Sequence, residues 1–120
     1  MKNRTLKPIL TEDGSYTLEF KELNEHYHSK DGAKSESEHV YIKNGLERFV
    51  NQEEINVFEI GVGTGLNVLL SINWAIDKEI ILNYVGIEPY PIDEVNLEFL
   101  RKNDSFFNSN SDLFQNIHSS

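Results

Sequence analysis

The chain has 120 residues, with 20 acidic and 11 basic side chains and no cysteine. This length limits it to one domain, and the lack of cysteine excludes disulfides. A formal net charge of −9 argues against a surface that attracts polyanions everywhere, because each phosphate contact normally needs a lysine or an arginine. A nucleic-acid partner would therefore need a local basic patch. The sequence has no apolar run typical of a signal peptide and none near the roughly 18 residues of a membrane span, so we expect a cytoplasmic protein.

The first 52 residues are polar, with short apolar islands. Asp13-Gly14 separates two runs of alternating character, a pattern that predicts a β-hairpin. The spacing over residues 31–43 predicts a helix with one weakly apolar face, ended by a left-handed cap at Asn44-Gly45. We therefore assign 1–52 to an N-terminal extension made of a hairpin and a helix.

The character of the sequence changes at Asn56. The pattern predicts a strand over 56–60, a buried helix over 66–76, a second strand ending at Glu88 and a last helix over 112–118. An apolar stripe marks one more helix after the second strand, formed by Ile92, Val95, Phe99 and Leu100. Strand, turn, helix, strand and helix in this order are typical of α/β proteins, so we predict the opening of a parallel sheet with right-handed crossovers.

Three glycines stand between the first strand and the buried helix, at Gly61, Gly63 and Gly65. Glycine there allows a sharp turn and the close approach of a ligand to the main chain. A dinucleotide fingerprint would need its third glycine at the position of Leu66. The acid Glu59 would also repel a pyrophosphate, so the turn suits a ligand with a neutral or positive group.

Glu88 closes the second strand, 23 residues after the last glycine of the turn. That distance is near the ~20 residues expected for an acid that accepts hydrogen bonds from a ribose. Two strand ends thus offer carboxylates beside one glycine turn. The sequence therefore predicts a ligand-binding site at this edge of the sheet.

The length sets a limit on this core. After Ile60 only 60 residues remain, room for about two strand–helix units of ~30 residues each. A doubly wound sheet needs more strands, so we expect residues 53–120 to form only the first part of an α/β core, truncated at residue 120. Its parallel strands would leave an apolar edge uncovered.

Residues 57–91 resemble the Rossmann-like class of S-adenosylmethionine-dependent methyltransferases. The segments 9–15 and 25–33, together with the glycine turn and the stretch 85–91, are similar to the MnmC-like methyltransferase domain of tRNA wobble-uridine modification proteins. The His-Tyr-His-Ser stretch from His26 is the more specific part, because glycine turns are common to many methyltransferases. The resemblance extends to residues 113–118 and so covers nearly the whole chain.

The resemblance implies S-adenosylmethionine as cofactor and a set of residues that would bind it. The reaction would be methylation of the amine of 5-aminomethyl-2-thiouridine at the tRNA wobble position, giving 5-methylaminomethyl-2-thiouridine. A separate or fused flavin-dependent oxidase could supply that amine; the chain has no flavin fingerprint of its own. The general base stays unassigned. The resemblance also implies that the extension 1–52 covers the cofactor site, with Tyr27, Ser29, Gly32 and Ala33 as part of the cover. The implied cofactor-binding residues are Tyr27, Ser29, Gly32, Ala33, Glu36, Glu59, Gly61, Gly63, Thr64, Gly65, Asn67, Glu88 and Pro89.

Two other functions stay open at this point: a methyltransferase for a small-molecule amine, and a catalytically inactive cofactor-binding remnant. A zinc site at His26 and His28 is disfavoured because further ligands are lacking and there is no cysteine. His39 and His118 are interpreted as surface or packing residues, and Trp74 as a core residue.

Overall fold

The computed structural model describes residues 5–20, 25–27 and 31–119, and of Glu25 and His26 only the backbone. Within these ranges the chain forms a small antiparallel sheet, a helical segment, and a parallel strand pair followed by three helices. The predicted α/β class is confirmed.

The predicted hairpin is confirmed. β1 (Leu6–Leu10) pairs antiparallel with β2 (Tyr16–Phe20), and β2 pairs with the short β3 (Glu25–His26). Gly14 lies in the turn with φ +87°, a conformation that glycine adopts without strain.

Asp13 joins the hairpin turn to the helix that follows. Its Oδ1 accepts hydrogen bonds from Thr11 and Ser15, and its Oδ2 accepts one from the Ser35 amide at 2.8 Å. Burial pushes the pKa of Asp13 upward, but the bonds from Ser15 and Ser35 outweigh burial and hold the pKa well below its usual range. The ionised carboxylate is therefore the form that fixes this junction.

The helix predicted over 31–43 is present, but it ends differently. α1 (Ala33–Ser37) continues into a π-helical segment (Glu38–Lys43), and a 3-10 helix (Leu46–Phe49) follows. The predicted left-handed cap is wrong, because φ is −91° at Asn44 and −114° at Gly45. A Cβ at Gly45 would instead collide with the Tyr41 carbonyl oxygen, so the glycine serves close backbone approach.

The parallel core follows the prediction closely. β4 (Glu54–Ile60) and β5 (Ile81–Ile87) pair in parallel, joined by α2 (Leu66–Lys78). The helix ends at Glu79, which has φ 57°. Residues 55, 57 and 59 of β4 and 82, 84 and 86 of β5 share the face toward α2.

Three helices complete the described chain: α3 (Glu94–Asn103), α4 (Ser105–Ser109) and α5 (Ser111–Ser119). The predicted stripe is wrong at Val95, which is 79% exposed. The buried positions are instead Ile92, Asn96 and Leu100, which are four residues apart and so lie on one side. The polar Asn96 can be buried because its side-chain amide donates to the Asp93 carboxylate at 2.7 Å. α4 was not predicted.

Two clusters of buried apolar residues form the core. Trp74 belongs to the second, as predicted, and its indole N–H donates to Glu47 Oε2 at 2.7 Å. α2 contributes to both clusters and so connects them. The first consists of Leu18, Ala33, Leu66, Leu69, Leu70, Ile92, Leu100, Phe107 and Phe114, and the second of Leu46, Ile55, Trp74, Ala75 and Ile80.

The other face of the β4–β5 pair is solvent-exposed within the described part of the chain. We call it the outer sheet face; its apolar members are Phe58, Ile60, Ile81, Val85 and Ile87, each at least 48% exposed. In register, Phe58 lies opposite Val85 and Ile60 opposite Ile87. A parallel sheet normally has both faces covered, so this face is unusual for its class.

Candidate functional site

The glycine turn after β4 needs glycine for its backbone conformation. φ is +85° at Gly61, +59° at Gly63 and +88° at Gly65, a region that side chains disfavour. The Gly61 amide donates to the Ile87 carbonyl at 2.7 Å, and the Gly65 amide donates to the Val62 carbonyl at 3.0 Å. The turn is thus tied to the end of β5 and folded back on itself.

Glu88 lies against this turn. Its Oε1 accepts from the Gly63 amide at 2.6 Å, and its Oε2 accepts from the Tyr90 amide at 3.0 Å. A carboxylate has about four lone-pair positions, and these bonds use two of them. The carboxylate is therefore fixed in place while each oxygen retains capacity for a ligand hydroxyl.

Glu59 is held by two side-chain donors at the end of β4. Asn67 Nδ2 lies 3.2 Å from its Oε2, and the Tyr84 hydroxyl donates to its Oε1 at 2.7 Å. Burial raises the pKa of the Glu59 carboxyl, the bonds from Tyr84 and Asn67 oppose the rise, and the charge of Glu88 adds to it. Two carboxylates of like charge thus lie on either side of the turn.

Tyr84 connects Glu59 to Tyr41. The two phenol oxygens are 3.1 Å apart, and because the Tyr84 proton goes to Glu59, Tyr41 is the donor of the pair. Burial, together with these two neighbours, raises the pKa of Tyr84 well above its usual range. The phenol remains protonated and acts as a fixed donor to Glu59.

The N-terminus of α2 has no side-chain cap. Among the described residues, two buried side-chain oxygens have no hydrogen-bond partner, Thr64 Oγ1 and Asn67 Oδ1, and both belong to this region. Buried polar atoms are normally paired, and free helix amides favour an anionic group. The helix amides and the Thr64 hydroxyl can donate to a carboxylate, whereas Asn67 Oδ1 can only accept and fits a cationic donor such as an ammonium group.

Tyr27 covers the middle of the turn. A Cβ at Gly63 would stand 2.7 Å from Tyr27 Cδ2, so the ring lies directly on the glycine. The Tyr27 ring also stacks on Phe20, with the two ring centroids 5.3 Å apart. Glycine at position 63 therefore leaves the space that the Tyr27 ring occupies.

His118 reaches the same turn from α5. Its Nε2 is 2.8 Å from the Thr64 carbonyl oxygen and would be 3.3 Å from a Cβ at Gly65. The ring packs on Phe114 with centroids 4.6 Å apart. Burial lowers the pKa of His118, although the bond to Thr64 and the charges of Glu88 and Glu94 oppose the shift.

A cavity of about 390 Å³ lies beside these groups. Its wall combines the polar end of the turn with apolar side chains from α2 and α5, the combination typical of small-molecule sites. The lining residues are Val62, Gly63, Val68, Ile72, Tyr84, Gly86, Glu88, Pro91, Ile92, Ile117 and His118.

The structure brings most of the implied cofactor residues together. Gly63 contacts both Tyr27 and Glu88, and Glu59 is bonded to Asn67. Pro89 is exposed directly after Glu88, and Thr64 is fully buried within the turn.

For four other implied residues, Ser29, Gly32, Ala33 and Glu36, the cofactor role stays a prediction. Gly32 lies against the Asp13 carboxylate, and Ala33 is buried with its amide directed to Thr11 Oγ1 at 3.3 Å. Glu36 is exposed on α1. Ser29, like His28, lies outside the described residues, so its role as part of the cofactor cover stays a prediction.

The cavity-lining residues that the sequence did not indicate include Tyr84, Gly86 and His118. Tyr84 and Gly86 precede Glu88 by four and two residues on the same strand, so the two-residue period of a strand could have placed them on the face of Glu88. His118 had no such signal, because 54 residues separate it from Thr64.

The described ranges show neither a metal-binding cluster nor a membrane-spanning helix. In them, no three histidine, aspartate or glutamate side chains come near enough to each other to hold a metal ion. Nor does any helix there combine the length and the apolar character needed to span a bilayer.

The fold and the site together define part of a Rossmann-like methyltransferase fold, with a glycine turn at the carboxyl end of a parallel strand pair. The chain is similar to the crystal structure of MNMC2 from Aquifex aeolicus, with a TM-score of 0.66 and 20% sequence identity. The match covers 92% of this chain and 38% of that chain. The resemblance to MnmC-like domains is thus confirmed at the level of the fold. No protein-family model and no curated protein matches the chain.

Proposed function

We propose that the chain binds S-adenosylmethionine at the glycine turn and belongs to a methyltransferase of tRNA wobble-uridine modification. The observation that carries this is the bond of 2.6 Å between the Gly63 amide and the Glu88 carboxylate, which joins the turn and the ribose-type acid in the wall of one cavity. The similarity of the fold to MNMC2 supports the choice among Rossmann-like enzymes.

The charge of the site favours this cofactor over a dinucleotide. Glu59 and Glu88 place two acidic groups beside the turn, where a pyrophosphate would meet repulsion. A sulfonium and an ammonium group instead gain from nearby carboxylates. Dinucleotide-binding turns also require a glycine where this chain has Leu66.

The residues present fit the cofactor. Glu88 would hold the ribose hydroxyls through its remaining lone pairs, and the uncapped N-terminus of α2 would hold the carboxylate end. The free Oδ1 of Asn67 is an acceptor and would face the ammonium group. Tyr27 would cover the turn, with its ring near the sulfonium. When bound, S-adenosylmethionine supplies an already activated methyl group, so neither a metal nor a covalent enzyme intermediate is needed.

The acceptor we propose is the amine of 5-aminomethyl-2-thiouridine in tRNA. Alignment of the amine with the methyl group supplies most of the acceleration, and the amine must be unprotonated to attack. We assign no general base among the described residues. A flavin-dependent oxidase, separate or fused, is the proposed source of the free amine, and a tRNA substrate agrees with the cytoplasmic location expected from the sequence.

Calorimetric titration with S-adenosylmethionine tests the first part of the proposal. We expect saturable binding in the micromolar range, and we expect NAD to show none because of the acidic pair. Glu88→Gln retains the shape of the side chain and should weaken binding about tenfold, since hydrogen bonds to a charged acceptor contribute ~1.5–3 kcal/mol. Glu53→Gln, which changes an exposed glutamate directly before β4 that is not among the implied cofactor residues, is the matched control. Absence of binding at millimolar ligand would contradict the proposal.

The acceptor is tested separately with labelled methyl donor. Methylation of tRNA that carries aminomethyl-uridine, but not of free amines, supports the proposed substrate. Methylation of free amines alone would favour the small-molecule alternative. Binding without transfer to either acceptor would indicate that this chain binds the cofactor but lacks the catalytic apparatus.

A further inference from the structure

We propose that His118 is a positioning residue of the glycine turn, holding the Thr64–Gly65 peptide in the conformation that the ligand site requires. The inference deepens the proposed function and rests on it for the identity of the ligand. His118 lies on α5, far along the chain from the turn.

The direction of the hydrogen bond follows from its acceptor. Thr64 offers a carbonyl oxygen, which only accepts, so His118 Nε2 must carry the proton across the 2.8 Å contact. In the neutral imidazole Nδ1 is then an acceptor. His118 is therefore held as one tautomer by the backbone of the turn.

The bond acts on the turn through the rigidity of the peptide unit. The Thr64 carbonyl and the Gly65 amide belong to the same planar group, so fixing the oxygen also orients the N–H. That N–H donates to the Val62 carbonyl at 3.0 Å and closes the turn. Gly65 has φ +88° and carries no side chain that could restrain this peptide.

A merely structural role for His118 would consist of packing on Phe114, so the test must separate packing from the hydrogen bond. His118→Phe retains an aromatic ring and removes the donor, whereas His118→Gln retains an N–H donor and removes the ring. His39→Phe changes an exposed histidine on the π-helical segment and serves as control.

The first readout is hydrogen exchange of the Gly65 amide in the ligand-free protein, with the melting temperature recorded for every variant. Loss of one hydrogen bond should speed this exchange about fivefold in His118→Phe. His118→Gln and His39→Phe should remain near the wild-type rate. This readout needs no ligand, so it decides the role of His118 even if the wild-type chain binds no S-adenosylmethionine.

The second readout is the affinity for S-adenosylmethionine. We expect about fivefold weaker binding by His118→Phe and near wild-type binding by His118→Gln. Unchanged exchange and affinity in His118→Phe would overturn the inference. Equal losses in both variants that follow their melting temperatures would also overturn it, because packing alone would then explain the residue. Failure of wild-type binding refutes the proposed function and leaves the exchange result to stand.

Discussion

The glycines of the turn differ in the space that a side chain would have. Gly61 and Gly63 both have positive φ, but a Cβ at Gly61 has nothing within 4 Å, whereas a Cβ at Gly63 would press on the Tyr27 ring at 2.7 Å. The two positions therefore separate backbone strain from steric exclusion within one turn.

Gly61→Ala should lower the free energy of unfolding by about 1–2 kcal/mol, the cost of an L-residue in the left-handed region. Gly63→Ala should cost about 1–3 kcal/mol more, because Tyr27 must move. In a Tyr27→Ala background, Gly63→Ala should cost only the backbone part, so the additional part should appear as the coupling energy of the double-mutant cycle. Denaturant unfolding of the variants measures this, and equal losses for the two glycines would refute the role given to Tyr27.

The ionisation of Glu59 gives a second prediction at the residue scale. Because burial raises its pKa, the folded state binds the proton more tightly than the unfolded state. The resulting stabilisation of the folded state is fully present below the pKa of Glu59 in the unfolded chain. It is lost as pH rises through the pKa of Glu59 in the folded protein. Glu59→Gln should remove this component from the dependence of unfolding free energy on pH.

Tyr84→Phe removes a donor that lowers the pKa of Glu59, so it should raise that pKa further. NMR titration of the Glu59 carboxyl carbon measures the shift. Tyr16→Phe, which makes the same change at a tyrosine of the hairpin, is the control. A lower or unchanged pKa in Tyr84→Phe would show that the hydroxyl does not support the carboxylate.

Among the elements, α4 depends most clearly on one capping residue. Asp104 is 2% exposed, and its Oδ1 accepts from the amides of Phe106 and Phe107, both at 3.0 Å. Its Oδ2 accepts from the Tyr16 amide at 2.8 Å and so ties the helix to β2. Asp93 caps α3 in a similar way, but it is exposed.

Asp104→Ala should destabilise the protein by about 2–4 kcal/mol, since it removes a cap and leaves the Tyr16 amide without its partner. Asp93→Ala should cost only about 1 kcal/mol. Thermal unfolding followed by far-ultraviolet circular dichroism measures both. Similar losses in the two variants would show that the link from Asp104 to β2 contributes nothing.

The elements that could be predicted from the sequence are those defined by local patterns. The unit β4, glycine turn, α2 and β5 was predicted because strand formers, glycines and a continuous apolar run follow each other there. α4 was missed because its residues are serine, phenylalanine and asparagine without helical periodicity, and its stability comes from Asp104 and distant contacts. The contact of His118 with Thr64 depends on tertiary structure, which no local pattern reports. The close approach of Gly45 to the Tyr41 carbonyl is local, but a glycine after a helix is compatible with this approach as well as with a left-handed cap.

At the scale of the whole molecule, one face of the β4–β5 pair is covered by α2 and the other is exposed to solvent. Ile55, on the face toward α2, is 8% exposed, whereas Phe58 on the outer sheet face is 61% exposed. Nothing in the described part of the chain covers the outer sheet face. The molecule thus presents apolar surface where α/β proteins usually bury it.

Phe58→Thr should change the free energy of unfolding by about 0.5 kcal/mol or less, because the side chain is already exposed. Ile55→Thr should cost about 2 kcal/mol or more, since it places a hydroxyl in the core. Phe58→Thr should also reduce binding of an apolar fluorescent dye to the native protein. A large stability loss in Phe58→Thr would show that the outer sheet face is covered in solution.

The position of Trp74 gives the protein an internal optical reporter. It is the single tryptophan of the chain, and it lies in the core cluster beside the sheet, away from the cluster that holds α4 and α5. Its emission therefore follows only one of the two clusters. Since α2 supplies residues to both, tryptophan fluorescence and far-ultraviolet circular dichroism should follow one coincident transition in denaturant. Separate transitions would reveal that the C-terminal helices, and with them His118, can leave the glycine turn while the sheet remains folded.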